Sequence, residues 1–351
     1  MRAFSIVFLS LSLFSPIIFA KSLYAKTTLV PVAFYSPETS VAAGGAITLS
    51  SPSAPHNRLA GIAYVTLKGQ YRISENTAMN WKEDQWRFEA DLSYSHFPDR
   101  LYSPGVDSSE EYGEFTLHKF NTRMSIQRRL KNWHFGPTVA YAVYKSYDIE
   151  PAGNQNIEDW IGFDRASIFG IGLNLTQDRR DHPFDPRRGH FTTIQLTQYL
   201  GVSFAFSKFT EFKLSHRRYW AISNRFSWAG AVHFNYSSQQ TPYHSLPSFG
   251  DQAGGVRLMR GYYNHRFRDQ CLIAIQNELR ILITKRWTAM VFCDVGQVAP
   301  NLDSIRFRSY KVTLGLGIGF FVDKATRMPV FIEGGLSKEG LSLGVKPMAA
   351  F

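Results

Sequence analysis

The 351-residue sequence has only two cysteines, and after residue 25 it has no uninterrupted run of about 18 apolar residues. Two cysteines exclude a disulfide-rich secreted scaffold. The missing apolar run excludes a helical membrane anchor. The chain also lacks an H-E-x-x-H motif, a phosphate-binding P-loop and any Cys/His spacing typical of a metal site. We therefore expect no enzymatic activity, no metal and no cofactor.

The first residues have the layout of a secretory signal peptide. Arg2 precedes an apolar stretch, and small residues at Ala20 and Ala25 offer cleavage sites. We expect a signal peptide over residues 1–20, with cleavage at 25 as the alternative, and export of the rest. The remaining chain of about 330 residues accommodates about sixteen membrane-spanning strands with their turns.

Aromatic residues make up 15% of the chain, although the chain is slightly polar on average. That combination suits aromatic girdles around a polar interior, while a secreted soluble β-sandwich also fits the composition. The net charge of +11 is spread along the chain without a clustered basic stripe or a nucleic-acid motif, so we expect no nucleic-acid partner. Basic loops beside lipopolysaccharide or anionic headgroups, and a basic lumen, account for the charge.

Strand patterns bounded by Pro, Gly, Asn or Asp recur every 15 to 25 residues, with no linker between them. The expected strands lie at 29–35, 40–49, 58–66, 68–76, 85–96, 114–129, 133–147, 164–177, 188–201, 205–221, 225–238, 268–283, 287–298, 308–321, 328–336 and 340–349. Apolar residues alternate with small or polar ones along them. This period of two predicts an all-β fold, a closed transmembrane antiparallel β-barrel of about sixteen strands over residues 26–351, in the bacterial outer membrane.

Two details of the C-terminal third refine that prediction. Gly315, Gly317 and Gly319 share the inward face of one strand, which predicts that other groups pack against the inside of the wall there. In the expected hairpin, Cys271 lies opposite about residue 298 and Cys293 opposite about residue 276. The two thiols are then too far apart to bridge, and we expect both to face lipid.

A connection of roughly 30 residues, Gln239 to Phe267, separates two of the expected strands and is unusually long for a hairpin. It contains Met259-Arg260-Gly261-Tyr262. Phe292-Cys293-Asp294-Val295-Gly296 and Asn277-Glu278-Leu279-Arg280 lie on the strands that follow it. Asp178-Arg179-Arg180-Asp181, with Pro186 and Gly189 after it, lies earlier in the chain.

These four motifs, in their order along residues 178–351 and with a terminal Phe351, resemble those of the BamA/TamA-like outer-membrane assembly and translocation superfamily, also called the bacterial surface antigen family. The loop motif resembles V/L-R-G-F/Y, with Met259 as a conservative departure. The strand motif resembles F-x-D-x-G at Phe292, Asp294 and Gly296. The first half of the chain matches mainly by its strand pattern.

The resemblance implies that the long extracellular connection folds back into the lumen and places Arg260 against Asp294 on the inner wall. Strand alternation independently gives Asp294 the same inward face as Phe292 and Gly296. A guanidinium can donate two parallel hydrogen bonds to a carboxylate, and Gly261 allows a tight backbone turn beside the wall.

Other motif residues leave two interpretations open. Glu278 and Arg280 face the same lumen, where they either extend the Arg260 network or are ordinary pore-lining charges. For Asp178, Arg180 and Asp181, local hydrogen bonds within a turn are the simpler interpretation. The resemblance implies that the last strand with Phe351 is the signal that delivers the chain to the barrel assembly machinery.

The resemblance implies a non-enzymatic barrel that helps to insert, assemble or translocate proteins. Family members carry periplasmic POTRA domains, which residues 26–40 are too short to hold, so we expect a barrel-only branch with a periplasmic partner protein. The alternatives are a passive or gated diffusion pore, and a membrane anchor for such a partner. Outer-membrane lipids and lipopolysaccharide are the other expected partners.

Overall fold

A computed structural model describes residues 26–36, 40–51, 54–153, 155–203, 208–250, 252–253, 256–323 and 327–347. The expected signal peptide and Phe351 lie outside these residues. The strands are β1 Lys26–Ser36, β2 Ser40–Ser51, β3 Ala54–Thr66, β4 Tyr71–Trp81, β5 Trp86–Leu101, β6 Gly113–Leu130, β7 Trp133–Glu150, β8 Arg165–Asp178, β9 Gly189–Ser203, β10 Lys208–Ala221, β11 Phe226–Ser237, β12 Gln252–Ala253, β13 Val256–Arg257, β14 Cys271–Leu282, β15 Trp287–Ala299, β16 Lys311–Asp323, β17 Met328–Ser337 and β18 Gly340–Pro347. No helix in the described part of the chain is long and apolar enough to cross a membrane.

Sixteen of these strands form one antiparallel sheet in which each strand pairs with its neighbours along the chain. The short strands β12 and β13 pair only with each other, inside the connection between β11 and β14. The edge strands β1 and β18 approach each other, as the wall of a barrel requires. The predicted sixteen-stranded antiparallel fold is confirmed. The fourth strand begins at Tyr71, three residues later than expected, because Leu67–Gln70 form the preceding turn.

The two faces of the wall differ as the alternation predicts. On β16, Leu316 is 67% exposed on the outer face, whereas the neighbouring inward-facing Thr313 is fully buried. An apolar face in contact with lipid costs nothing, while inward polar groups find partners in the lumen. The outer face of the wall is therefore apolar and its inner face is packed.

The connections at the two ends of the barrel differ in length. Residues 102–112, 151–164, 238–270 and 300–310 join strands at one end, and turns such as 131–132 join them at the other. Long extracellular loops and short periplasmic turns are typical of outer-membrane barrels, so we expect 238–270 on the extracellular side. The ten-residue connection 179–188 is the long exception at the periplasmic end.

The structure also tests the glycine and cysteine predictions. A Cβ placed on Gly315 would lie 2.1 Å from Cζ of Phe292 of β15, and one on Gly319 would lie 2.6 Å from Cε1 of Phe331 of β17, so large side chains of the neighbouring strands fill the glycine face, as predicted. Cys271 pairs with Ala299 and Cys293 with Asn277, each within one residue of expectation, and both thiols are free. Cys271, however, is only 1% exposed, so the prediction that it faces lipid is wrong. As the first residue of β14, it lies where the long connection joins the wall.

A candidate functional site in the lumen

The connection 238–270 packs against the inner wall through an apolar cluster. Phe249, Leu258, Met259, Tyr262 and Phe267 are buried together with wall residues Leu272, Ala274 and Val298. Within the connection, the ring of Tyr262 lies 5.5 Å from that of Phe249 and 5.7 Å from that of Phe267, both edge to face. Burial of these side chains supplies the main free energy that holds the connection inside the barrel.

Glycines let the connection approach the wall closely. Gly261 has a φ of +95°, a conformation that side chains with a Cβ rarely adopt, and a Cβ there would lie 2.4 Å from Cγ2 of Thr313. A Cβ on Gly335 of β17 would lie 2.9 Å from Cα of Gly261. On β15, a Cβ on Gly296 would lie 2.7 Å from Sδ of Met259. The backbone of the connection therefore lies directly against β15, β16 and β17.

Arg260 is placed by this contact and pairs with Asp294 through two parallel hydrogen bonds. Its Nε donates to Oδ2 at 2.9 Å and a terminal nitrogen donates to Oδ1 at 2.8 Å, and the Arg260 backbone N–H also donates to Oδ2 at 3.0 Å. The Arg260 side chain is 3% exposed and that of Asp294 is fully buried. This two-pronged arrangement is the strong, directional form of an arginine–carboxylate pair.

Two further carboxylates surround the same guanidinium. Glu278 of β14 accepts a hydrogen bond from Arg260 at 2.8 Å, and Glu333 of β17 lies 3.8 Å away. The guanidinium carbon lies 3.8 Å from the centre of the Phe292 ring, and Gln276 donates to Asp294 at 3.0 Å. One residue of the connection is thus held by side chains from three strands of the wall.

Arg280 belongs mainly to a second cluster near the periplasmic end. It donates to Oδ1 of Asp185 at 2.8 Å and to the carbonyl of Pro186, while its Nε lies 3.7 Å from Glu278. Arg327, at the turn between β16 and β17, pairs with the other oxygen of Asp185. Asp185 therefore joins the connection 179–188 to two distant parts of the wall. Sequence analysis missed Asp185, although it lies inside the Asp178 to Gly189 motif.

The other residues of that motif make local contacts. Arg180 donates to both oxygens of Asp178, at 2.8 and 2.7 Å. Asp181 accepts hydrogen bonds from the backbone N–H groups of Arg187 and Arg188, at 2.9 and 3.1 Å. These are the local turn bonds that the simpler interpretation predicts, and they shape the connection that presents Asp185.

Comparison with known families identifies the fold. A model of the Omp85 superfamily domain matches residues 63–327, about three quarters of the chain. The chain belongs to the Omp85 superfamily. The resemblance stated from the motifs is thereby confirmed. No curated protein sequence matches this Omp85 chain.

Solved structures share the fold of this Omp85 barrel. BamA from Haemophilus ducreyi lacking POTRA domains 1-3 matches with a TM-score of 0.59 at 10% identity, over 92% of this chain and 70% of that one. CdiB from Escherichia coli matches with a TM-score of 0.56 at 12% identity, over 93% and 62%. CdiB from Acinetobacter baumannii gives 0.53 at 12% identity, over 92% and 59%. The Omp85 chain thus spans less than two thirds of either CdiB.

A separate polar network crosses the N-terminal part of the Omp85 lumen. Glu89 of β5 accepts hydrogen bonds from Arg87 and Gln127, both at 2.9 Å, and from Asn174 at 3.0 Å. Sequence analysis did not assign this network. Its only signal in the sequence is the run of charges at alternate, inward-facing positions of β5, which the alternation alone does not pair.

The same lumen contains a longer-range pair. Arg123 of β6 donates to Glu211 of β10 at 2.6 Å and to the hydroxyl of Tyr199 at 3.0 Å, and Lys213 lies 2.7 Å from the other oxygen of Glu211. Sequence analysis missed these residues as well.

Catalytic and metal chemistry have little support at these sites. Within the described residues, no group of three or more His, Cys, Asp or Glu side chains could hold a metal ion. Gly340-Leu341-Ser342-Leu343-Gly344 fits the letters of the G-x-S-x-G pattern of hydrolases. That pattern requires a sharp turn from strand to helix, whereas these five residues lie within β18.

Proposed function

We propose that this chain is a bacterial outer-membrane barrel that inserts or translocates proteins without enzymatic activity or a cofactor. The observation that carries the proposal is the placement of Arg260 among Asp294, Glu278 and Glu333. A single buried guanidinium that is shared by three wall strands makes the position of the connection depend on the shape of the wall. Movement of the wall would then be coupled to movement of the connection.

A packed lumen favours this function over a diffusion pore. Inward-facing side chains of the described wall are largely buried, including Arg87, Gln127, Asn174, His233 and Gln276. A passive pore requires a water-filled channel along the lumen. The described residues of the connection 238–270 pack against the inner wall and take up part of that space, which supports a blocked lumen over an open pore.

The seam between β1 and β18 supports a route by which client proteins pass sideways through the wall into the membrane. The two strands approach each other, but among the described residues no backbone ladder pairs them. Unpaired N–H and C=O groups at such an edge form a template onto which a client strand can add. We propose that clients enter the membrane at this seam, with a periplasmic partner delivering them. Lipopolysaccharide and lipids would surround the barrel, and the cell's barrel assembly machinery would insert it.

The test is quantitative outer-membrane proteomics of cells that lack the chain, complemented with wild type, Arg260→Ala or Arg225→Ala. Arg225 lies in an exposed turn and serves as the matched loss of one positive charge. We expect specific outer-membrane or surface proteins to fall without the chain and to return with wild type and Arg225→Ala, but not with Arg260→Ala. An unchanged proteome in every strain would contradict the proposal, and steady single-channel conductance that rises in Arg260→Ala would then assign a pore.

A further inference from the structure

A row of basic and aromatic side chains crosses five adjacent strands on the outer face of the barrel. The register pairs Tyr71 with His96, His96 with His118, His118 with Lys145, and Lys145 with Arg165. Residues that pair directly across an antiparallel sheet share a face, so these five form one continuous line. We call this line the outer basic row.

Ring contacts link the three aromatic members of the outer basic row, and Tyr147, whose ring lies 4.9 Å from that of His118, joins Lys145 to them. The Tyr71 ring stacks on His96 at 5.2 Å, and the His96 ring meets that of His118 edge to face at 4.2 Å. Lys145 places Nζ 4.0 Å from the centre of the Tyr147 ring, on the same face one level above. The row is therefore a continuous surface of rings with cations at one end.

The columns below the row are mainly apolar. Their polar members include Thr122, Tyr141 and Ser167, and the hydroxyls of the last two lie 3.1 Å apart. On the outer face, the strands carry Phe88, Ala90, Leu92 and Tyr94 on β5, Ile126, Met124 and Phe120 on β6, Phe135, Val139 and Val143 on β7, and Leu175, Leu173, Ile171 and Phe169 on β8. Glu75 is the acid on the outer face of β4 and accepts a hydrogen bond from Thr77 at 2.7 Å, two levels below the row. Acyl chains can lie along these columns.

The height of the row places it at the outer edge of the membrane. Trp86, which stacks on Trp81 at 6.2 Å, marks the periplasmic girdle of β5, and His96 follows it by ten residues. At about 3.4 Å per residue and a tilt of about 40°, ten residues rise about 26 Å, which matches the apolar band of an outer-membrane barrel. His96 thus lies at the headgroup level of the outer leaflet. Because a line of paired residues runs perpendicular to strands that tilt about 40°, the row crosses this level obliquely and changes height by about 9 Å between β5 and β8.

We propose that the outer basic row binds the phosphorylated disaccharide of the lipid A part of lipopolysaccharide. Lys145 and Arg165 bind phosphate, because ammonium and guanidinium groups form charge-assisted hydrogen bonds with it. The imidazole and phenol groups offer further donors and ring faces to the sugars. The two cations lie on adjacent strands about 5 Å apart, which suits one phosphate, and from β7 back to β4 the rings of the row extend the surface by about 14 Å, where the sugars that a phospholipid lacks can lie. This inference rests on the proposed outer-membrane location.

The test measures lipid retained by the purified full chain, folded in detergent, using native mass spectrometry. The probes are diphosphoryl lipid A, dephosphorylated lipid A and phosphatidylglycerol. The row variant is Lys145→Ser/Arg165→Ser. The matched control is Arg128→Ser/Lys208→Ser, which removes two positive charges from the outer face of β6 and β10 outside the row. Lys145→Arg/Arg165→Lys conserves the charge and checks that the site tolerates substitution.

We expect the row variant to retain about tenfold less diphosphoryl lipid A than wild type, and the control and the charge-conserving variant to retain nearly as much as wild type. Equal retention by the row variant and the control would overturn the inference. So would equal retention of diphosphoryl lipid A, its dephosphorylated form and phosphatidylglycerol by wild type. These outcomes do not depend on the proteome of cells lacking the chain, so failure of the assembly function is distinguishable from failure of this site.

Discussion

The buried charge clusters of the described lumen are of two kinds, those that hold a connection against the wall and those that join wall strands to one another. The network around Arg260 joins the long connection 238–270 to the wall. The network around Glu89 and the Arg123–Glu211 pair joins wall strands to one another. Loss of the first would free a segment of chain, whereas loss of the second would loosen the cross-section of the barrel. Removal of a buried arginine–carboxylate contact therefore has a different effect in the two kinds of cluster, because one kind holds a connection and the other holds the wall.

The largest effect is expected for Asp294→Ala. This change removes both hydrogen bonds to the Arg260 side chain and the acceptor of its backbone N–H, and leaves a buried guanidinium among weaker partners. We expect docking of the connection to lose about 3–5 kcal/mol. Limited proteolysis of the purified protein should then cleave within 238–270, where wild type resists.

Two controls accompany this change. Asp303→Ala removes an exposed carboxylate from another extracellular connection and should leave protease resistance unchanged. Arg260→Met/Asp294→Leu/Glu278→Gln removes the guanidinium together with its two hydrogen-bonded carboxylates, so it should be less destabilising than Asp294→Ala alone. If Asp294→Ala resisted protease as well as wild type, the pair would not hold the connection.

The second-largest effect is expected for Gly261→Ala. Comparison with Gly340→Ala separates the cost of close contact with the wall from the cost of backbone strain at a positive φ. Gly261→Ala places a Cβ 2.4 Å from Cγ2 of Thr313 at a φ of +95°, whereas Gly340→Ala, at a φ of +114°, meets open space. We expect Gly261→Ala to cost about 2–4 kcal/mol and Gly340→Ala about 1 kcal/mol. Thermal unfolding and proteolysis would measure both, and equal losses would show that the wall does not constrain Gly261.

The sequence predicts the fold better than it predicts the networks. Strand positions follow from local alternation, and Arg260 and Asp294 were found because both lie in motifs. Arg123 and Glu211 are 88 residues apart and sit on strands separated by three others. Their contact depends on how the curvature of the wall brings together the inner faces of strands four positions apart. No local periodicity contains that information, which is also why Glu333 and Asp185 were missed.

The third effect tests the wall-to-wall network. Glu211→Gln leaves Arg123 without its carboxylate, although the hydroxyls of Thr197 and Tyr199 still accept from it. We expect about 2 kcal/mol of barrel stability to be lost, seen as a lower thermal midpoint, with protease resistance of 238–270 retained. Cleavage of the connection in this variant would mean that the two networks are coupled.

The smallest effect concerns the outer end of the connection, where His244 lies. Burial, together with Arg268, lowers the pKa of His244 from 6.5 to about 3, and its ring nitrogen lies 2.9 Å from the carbonyl oxygen of Phe163. Because the undocked form binds a proton below pH 6.5 and the docked form does not, docking weakens as the pH falls through that window, by about 1.4 kcal/mol at pH 5.5. Burial also lowers the pKa of His265, so both histidines contribute to the pH dependence of docking.

Protease sensitivity of 238–270 should rise below pH 6.5 in wild type and less steeply in His244→Phe, which keeps the ring packing. Identical pH profiles for the two proteins would show that protonation of His244 does not weaken docking of the outer end.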